Sequence, residues 1–221
     1  KQTRREQNEK TLQNKQDEAR TFFYCAYAEL QYFINSGKFE EGKKLVAAIE
    51  EGLETYHDAF NKSWEQTFSY NIMMLYFFLE EHSEALAWVN RITMSQKTES
   101  RKDIQMFARF VTIVLHLEMK NYDICDGLWR SAYRYANMDG QLTDYESIVL
   151  KYLKKLTNVA GTTDQPQVSE DFEKALVELS EKANEDRNLG ITELIYWLRS
   201  KNQKKAFAGV IRKELDVGQK G

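Results

Sequence analysis

At 221 residues with a formal net charge of −3, the chain is long enough to bury a sizeable core and carries no general nucleic-acid footprint. It has 1 proline, where average usage near ~5% gives roughly eleven; proline breaks helix interiors, so its scarcity points to long uninterrupted helices. Aromatic content of 13% argues against disorder, the widely spaced Cys25 and Cys125 make no disulfide framework, and no apolar run approaches the ~20 residues that span a bilayer.

Residues 1–17 are almost wholly polar and read as a helical lead-in or a linker. From Asp17 to Ser36, Phe22, Phe23, Ala26, Leu30, Phe33 and Ile34 recur at three- and four-residue steps, which places them on one helix face. "NSGK" ends that helix, with Gly37 suited to the left-handed capping conformation. A second helix points Phe39, Leu45, Val46, Ile49 and Leu53 inward. In "SWEQ", Ser63 and Gln66 have the spacing of a capping box before a third helix, Trp64 to Glu80. That third helix is apolar nearly all round ("YNIMMLYFFL"), so neighbours must cover it on several sides. A fourth helix runs from His82 to Thr93, and a polar loop, "MSQKTESRK", follows. Then come helices over Lys102–Met119, from Asn121, and over Thr143–Asn158. "VAGTTDQPQVS" is the clearest break. Two more helices follow, Ser169–Asn184 and Ile191–Leu215, with an interruption near "SKNQK" in the second.

The order suggests helix pairs, and three second helices align: "KFEEGKKLVAAI", "EHSEALAWVNRI" and "NYDICDGLWRSA". A small residue recurs as Gly42, Ala85 and Cys125, at separations of 43 and 40. Val46, Val89 and Trp129 follow four positions later, and Ile49, Ile92 and Ala132 three after those. A small side chain lets the second helix of a pair approach the first closely, and the flanking apolar residues fill the grooves. In this half of its motif the chain resembles the tetratricopeptide-repeat family, in a divergent form with repeats of about 40 residues rather than ~34. His82, Ile49 and Ile92 depart from the family pattern, and the first-helix half is poorly kept. "SYNIMMLYFFLEEHSEALAWVNRI", "RKDIQMFARF" and "NYDICDGLWRSAYRY" are similar to the C-terminal part of tetratricopeptide-like proteins of Bacteroidetes. The resemblance implies an all-α, right-handed solenoid of antiparallel helix pairs over 18–160, in a cytoplasmic bacterial protein with no assigned reaction. A loop over 161–168 and a C-terminal helical cap over 169–221 complete the expected organisation. The start at Lys1 rather than Met suggests a piece of a longer protein, in which an attached segment could carry catalysis.

Few residues suggest chemistry. His57, His82 and His116 fall on different predicted elements, and none shares a motif with a cysteine. No CxxC or HExxH points to a metal, and no glycine-rich loop points to a phosphate or other cofactor. Cys125 occupies the small-residue slot of a packing helix. Trp129 belongs to the same inner stripe, whereas Arg130 falls on another face, one turn from Asp126, so they do not form a joint stacking platform for nucleic acid. The basic "RSKNQKKAFAGVIRK" suits a soluble last helix. A non-catalytic scaffold for a protein or peptide is the function these features leave, with a sensor or regulatory domain as the alternative. The family's groove positions, carried over by the repeat register, fall on Tyr24, Tyr27 and Gln31, on Tyr70, Asn71 and Met74, and on Phe107 and Phe110, with Arg109 close by. An aromatic stripe at this spacing also serves as core, and the register alone leaves both uses open.

Overall fold

The computed structural model describes residues 2–60, 62–94, 101–182 and 188–218. Among them every regular element is helical: α1 (Gln2–Asn35), α2 (Phe39–Lys44), α3 (Val46–Thr55), α4 (Lys62–Phe78), α5 (His82–Met94), α6 (Lys102–Glu118), α7 (Tyr122–Ala136), α8 (Asp144–Val159), α9 (Gln165–Lys182), α10 (Ile191–Gln203) and α11 (Phe207–Gly218). The polar lead-in continues α1 without a break. The second expected helix is divided at Leu45, which closes α2 and precedes α3. The capping box expected at Ser63 is not formed: α4 already includes Lys62, and the Ser63 carbonyl accepts from the Thr67 hydroxyl. A capping box does form at Thr143 and Glu146, opening α8. Pro166 lies in the first turn of α9, where its missing N–H costs no helical bond, so that helix begins earlier than Ser169. The centre of the expected polar loop, 95–100, and the end of the expected helix at Asn184 lie outside the described residues.

The ends of α1, α4 and α6 share one geometry, which the end of α10 repeats at Lys204. After α1, α4 and α6 the chain turns through a left-handed residue: Gly37 at φ 66°, Glu80 at φ 57° and Lys120 at φ 61°. Each turn is closed by the same two amide bonds, shown by Lys38 to Phe33 and Gly37 to Ile34, by Glu81 to Tyr76 and Glu80 to Phe77, and by Asn121 to His116 and Lys120 to Leu117. These residues keep the spacing of Gly42, Ala85 and Cys125, all three of which are buried in the following helices. At Gly42 a β-carbon would stand 3.2 Å from Phe33 Cβ and 3.3 Å from a Leu75 methyl, so the crossing depends on a small residue there.

Helices adjacent in the chain pack on one another from α4 through α11. In addition α1 meets α4, α4 meets α6 and α6 meets α8, so these four make a continuous row. The C-terminal helices reach back along α6 and α4. Leu189, just before α10, accepts a hydrogen bond from the Tyr145 hydroxyl at the start of α8, and Gly190 abuts the Phe107 ring of α6. Further along α10, Trp197 and Lys201 both meet Glu118 at the far end of α6, so the two helices run side by side in the same direction. Lys204, left-handed at φ 52°, breaks the helix where the interruption was expected. Phe207 then packs against Phe77 and Phe78 of α4, and Arg212 of α11 donates to the Gly37 carbonyl beyond α1.

Candidate functional site

The face made by α4 and α6 is the natural candidate. It is built from the apolar side chains that dominate both helices, and α10 and α11 lie along it. Ile191, Leu194, Ile195, Trp197, Leu198, Phe207, Val210 and Ile211 are all buried. Burial of one such side chain stabilises by roughly 1.5–3 kcal/mol, so the segment is fastened as core. Polar bonds stitch its edge. The Trp197 indole donates to Glu118 Oε1 at 2.8 Å, Lys201 Nζ lies 2.6 Å from Glu118 Oε2 and 3.6 Å from Glu80, and the Phe207 amide donates to Glu80 Oε2. Burial beside this cluster lowers the pKa of the His82 imidazole below its ordinary value. At the other end of α10, the half-buried Glu193 carboxyl lies near Tyr70 and Tyr145. Desolvation raises its pKa, and it raises both phenols well above their usual value.

The expected groove residues separate into three groups. Met74, Phe107 and Phe110 are 2%, 1% and 0% exposed, and belong to the core under α10 and around it. Asn71, at 6%, spends its amide internally: it donates to the Thr67 carbonyl and accepts from Gln31 Nε2. Tyr70 packs its ring 6.0 Å from Phe107, close to Glu193. These five therefore belong to the fold's own packing: the C-terminal segment meets Phe107 and Tyr70, α8 meets Phe110 through Tyr145, and α1 engages Asn71 through Gln31. A second group stays open. On α1, Tyr24 is 58% exposed, and Tyr27 and Gln31 are half-buried. They flank a stack in which Phe23 lies against Trp64 at 4.6 Å and Tyr27 at 5.7 Å, both nearly parallel. The third group is Arg109 alone, half-buried on the side of α6 that faces α5 and α7, with its guanidinium 3.7 Å from the Tyr135 ring centroid.

Residues that look most chemical in sequence are engaged in packing. Cys125 is buried and its thiol contacts the Asn121 carbonyl; burial raises its pKa, which disfavours the reactive thiolate. Trp129 is half-buried, donates its indole N–H to the Leu150 carbonyl at 2.8 Å, and stacks on Tyr133. Arg130 pairs with Asp126 at 2.7 Å, as the one-turn spacing indicates. Sequence reasoning missed Trp197, Lys201 and Phe207 as residues that cover the α4–α6 face. The signal available was the all-round apolarity of α4, which demanded a cover without naming it. Trp197 and Lys201 also border a crevice of about 410 Å³, where Tyr122, Pro166, Ser169 and Lys204 meet them. Among the described residues no three His, Cys, Asp or Glu side chains are grouped to hold a metal, and no helix is long and apolar enough to cross a membrane. No protein-family model, curated protein or solved structure matches the chain.

Proposed function

We propose that the chain is a non-catalytic interaction module, a right-handed tetratricopeptide-like solenoid that holds a protein or peptide segment on the open part of its first-helix face. One observation carries this reading. Among the described residues the C-terminal helices lie along α6 and α4 and reach the α1 end of the row at Gly37, while Tyr24 stays exposed and Tyr27 and Gln31 half-buried beside the Phe23–Trp64 stack. Rigid aromatic side chains supply large contact area at low entropic cost, and exposed tyrosines next to an apolar platform suit a partner helix or an extended segment. The face already accepts one helix within this chain, so a partner would continue a line that α10 and α11 begin.

The test compares affinity capture by the parent and by a Tyr24→Ala/Tyr27→Ala variant of equal thermal stability. Loss of specific partners in the variant supports the reading, and unchanged recovery removes it. A regulatory role is the second reading, favoured by the polar seam of Glu80, Glu118 and Lys201, which joins the C-terminal segment to two first helices. Under that reading an incoming segment shifts α10. A Trp197→Ala/Lys201→Ala variant would then capture partners that the parent does not.

A further inference from the structure

On the side of α6 away from α10, a cavity of about 290 Å³ is lined, among the described residues, by Asn90, Thr93, Arg109, Thr112, Leu128 and Ser131 of α5, α6 and α7. Five of these six side chains are polar, and none is acidic. Arg109 is the only charged one. Its Nη1 donates to the Gln105 carbonyl at 2.7 Å and to Gln105 Oε1 at 2.9 Å, and its plane rests on Tyr135. Those contacts fix the guanidinium in place. Among the described residues no carboxylate pairs with it and its Nε–Nη2 edge meets no protein acceptor. That edge presents two parallel N–H bonds, the geometry that matches one oxyanion bidentately.

The other walls complete a polar setting. The Thr93 and Thr112 hydroxyls donate to the Val89 and Ala108 carbonyls, so each turns only lone pairs outward. The Asn90 amide and the Ser131 hydroxyl have no hydrogen-bond partner among the described residues, and both can donate into the cavity. A half-buried cation without an anion is costly, and an anion held by charge-assisted bonds removes that cost.

We propose that this cavity is a small-oxyanion site, which takes the phosphate or carboxylate group of a small molecule on the Nε–Nη2 edge of Arg109, with Asn90 and Ser131 donating from the facing helices. The site is independent of the α1 surface and of the C-terminal segment, so its failure leaves the interaction reading untouched. The experiment titrates the full chain with inorganic phosphate and, in a separate arm, with acetate, at constant ionic strength held by sodium chloride. The Arg109 Nε–H resonance and the melting temperature are followed. Saturable movement of that resonance in the millimolar range, with a rise in melting temperature, is expected in at least one arm, and the arm that saturates names the group. An Asn90→Ala/Ser131→Ala variant, changed only at exposed positions, should bind about tenfold more weakly. Arg109→Gln should abolish the response. A resonance that saturates in neither arm, or an affinity unchanged in Asn90→Ala/Ser131→Ala, overturns the proposal.

Discussion

Helices α4 and α7 are of similar length and belong to neighbouring layers, yet they are buried in opposite ways. Eleven of the 17 residues of α4 are buried, so it needs cover on more than one side. Only Cys125 and Ala132 are fully buried in α7, which rests on α6 and α8 by one stripe and turns its remainder to water. The difference teaches how the molecule is layered. Helices α4 and α6 lie between their chain neighbours and a returning C-terminal segment, whereas α7 lies on the outside. A substitution should therefore cost much where the C-terminal segment meets α4 or α6, and little on the outer face of α7.

Phe207→Ala is the strongest way to break that contrast. The ring is 1% exposed and set edge-on to Phe77 at 5.0 Å and Phe78 at 5.4 Å, so truncation should cost about 3–5 kcal/mol in urea unfolding. A loss below about 1 kcal/mol would mean that the segment is a loosely attached tail. Gly190→Ala comes next. Gly190 sits at φ +83°, and a β-carbon there would stand 1.9 Å from the Phe107 ring. Left-handed strain and overpacking together should cost about 2–4 kcal/mol.

Glu193→Gln sharpens the comparison through pH. Desolvation raises the folded-state pKa of this carboxyl above its unfolded value. The folded state then holds the proton where the unfolded state has released it, so the parent loses stability as pH rises from the ordinary carboxylate range through the raised folded value. The glutamine isostere escapes that loss. Melting temperatures of parent and variant should converge at acidic pH, with the variant higher at neutral pH. The smallest effect belongs to α7: Arg130→Ala removes an exposed partner from Asp126, which Lys154 also pairs, and should shift stability by no more than about 0.5 kcal/mol.

Local pattern made most of the helices legible. The starts of α5 at His82 and α6 at Lys102, and the break before Phe207, follow from periodicity and punctuation in the chain. Gly37 is visible as a left-handed cap because it is glycine. Glu80 and Lys120 adopt the same geometry with side chains that do not advertise it, and the two amide bonds that close each turn hold them there. The candidate groove was legible only as an apolar surface. Spacing shows that Met74, Phe107 and Phe110 share a face of their helices. Whether that face meets a partner or the chain's own end is decided by the path of residues more than seventy positions away, which no local pattern encodes. Tyr24 stays exposed for the same reason, since among the described residues the returning segment meets the far end of α1, at Gly37.

The central claim is that α10 and α11 return along the first helices. It is tested most directly by zero-length carbodiimide crosslinking of the intact chain, read by peptide mass spectrometry. Lys201 Nζ and Glu118 Oε2 are 2.6 Å apart, as are Lys43 Nζ and Glu81 Oε1 in the N-terminal half, which serves as the internal control. Both crosslinks should form within the monomer at comparable yield. Recovery of the Lys43–Glu81 link without the Lys201–Glu118 link would contradict the returning path.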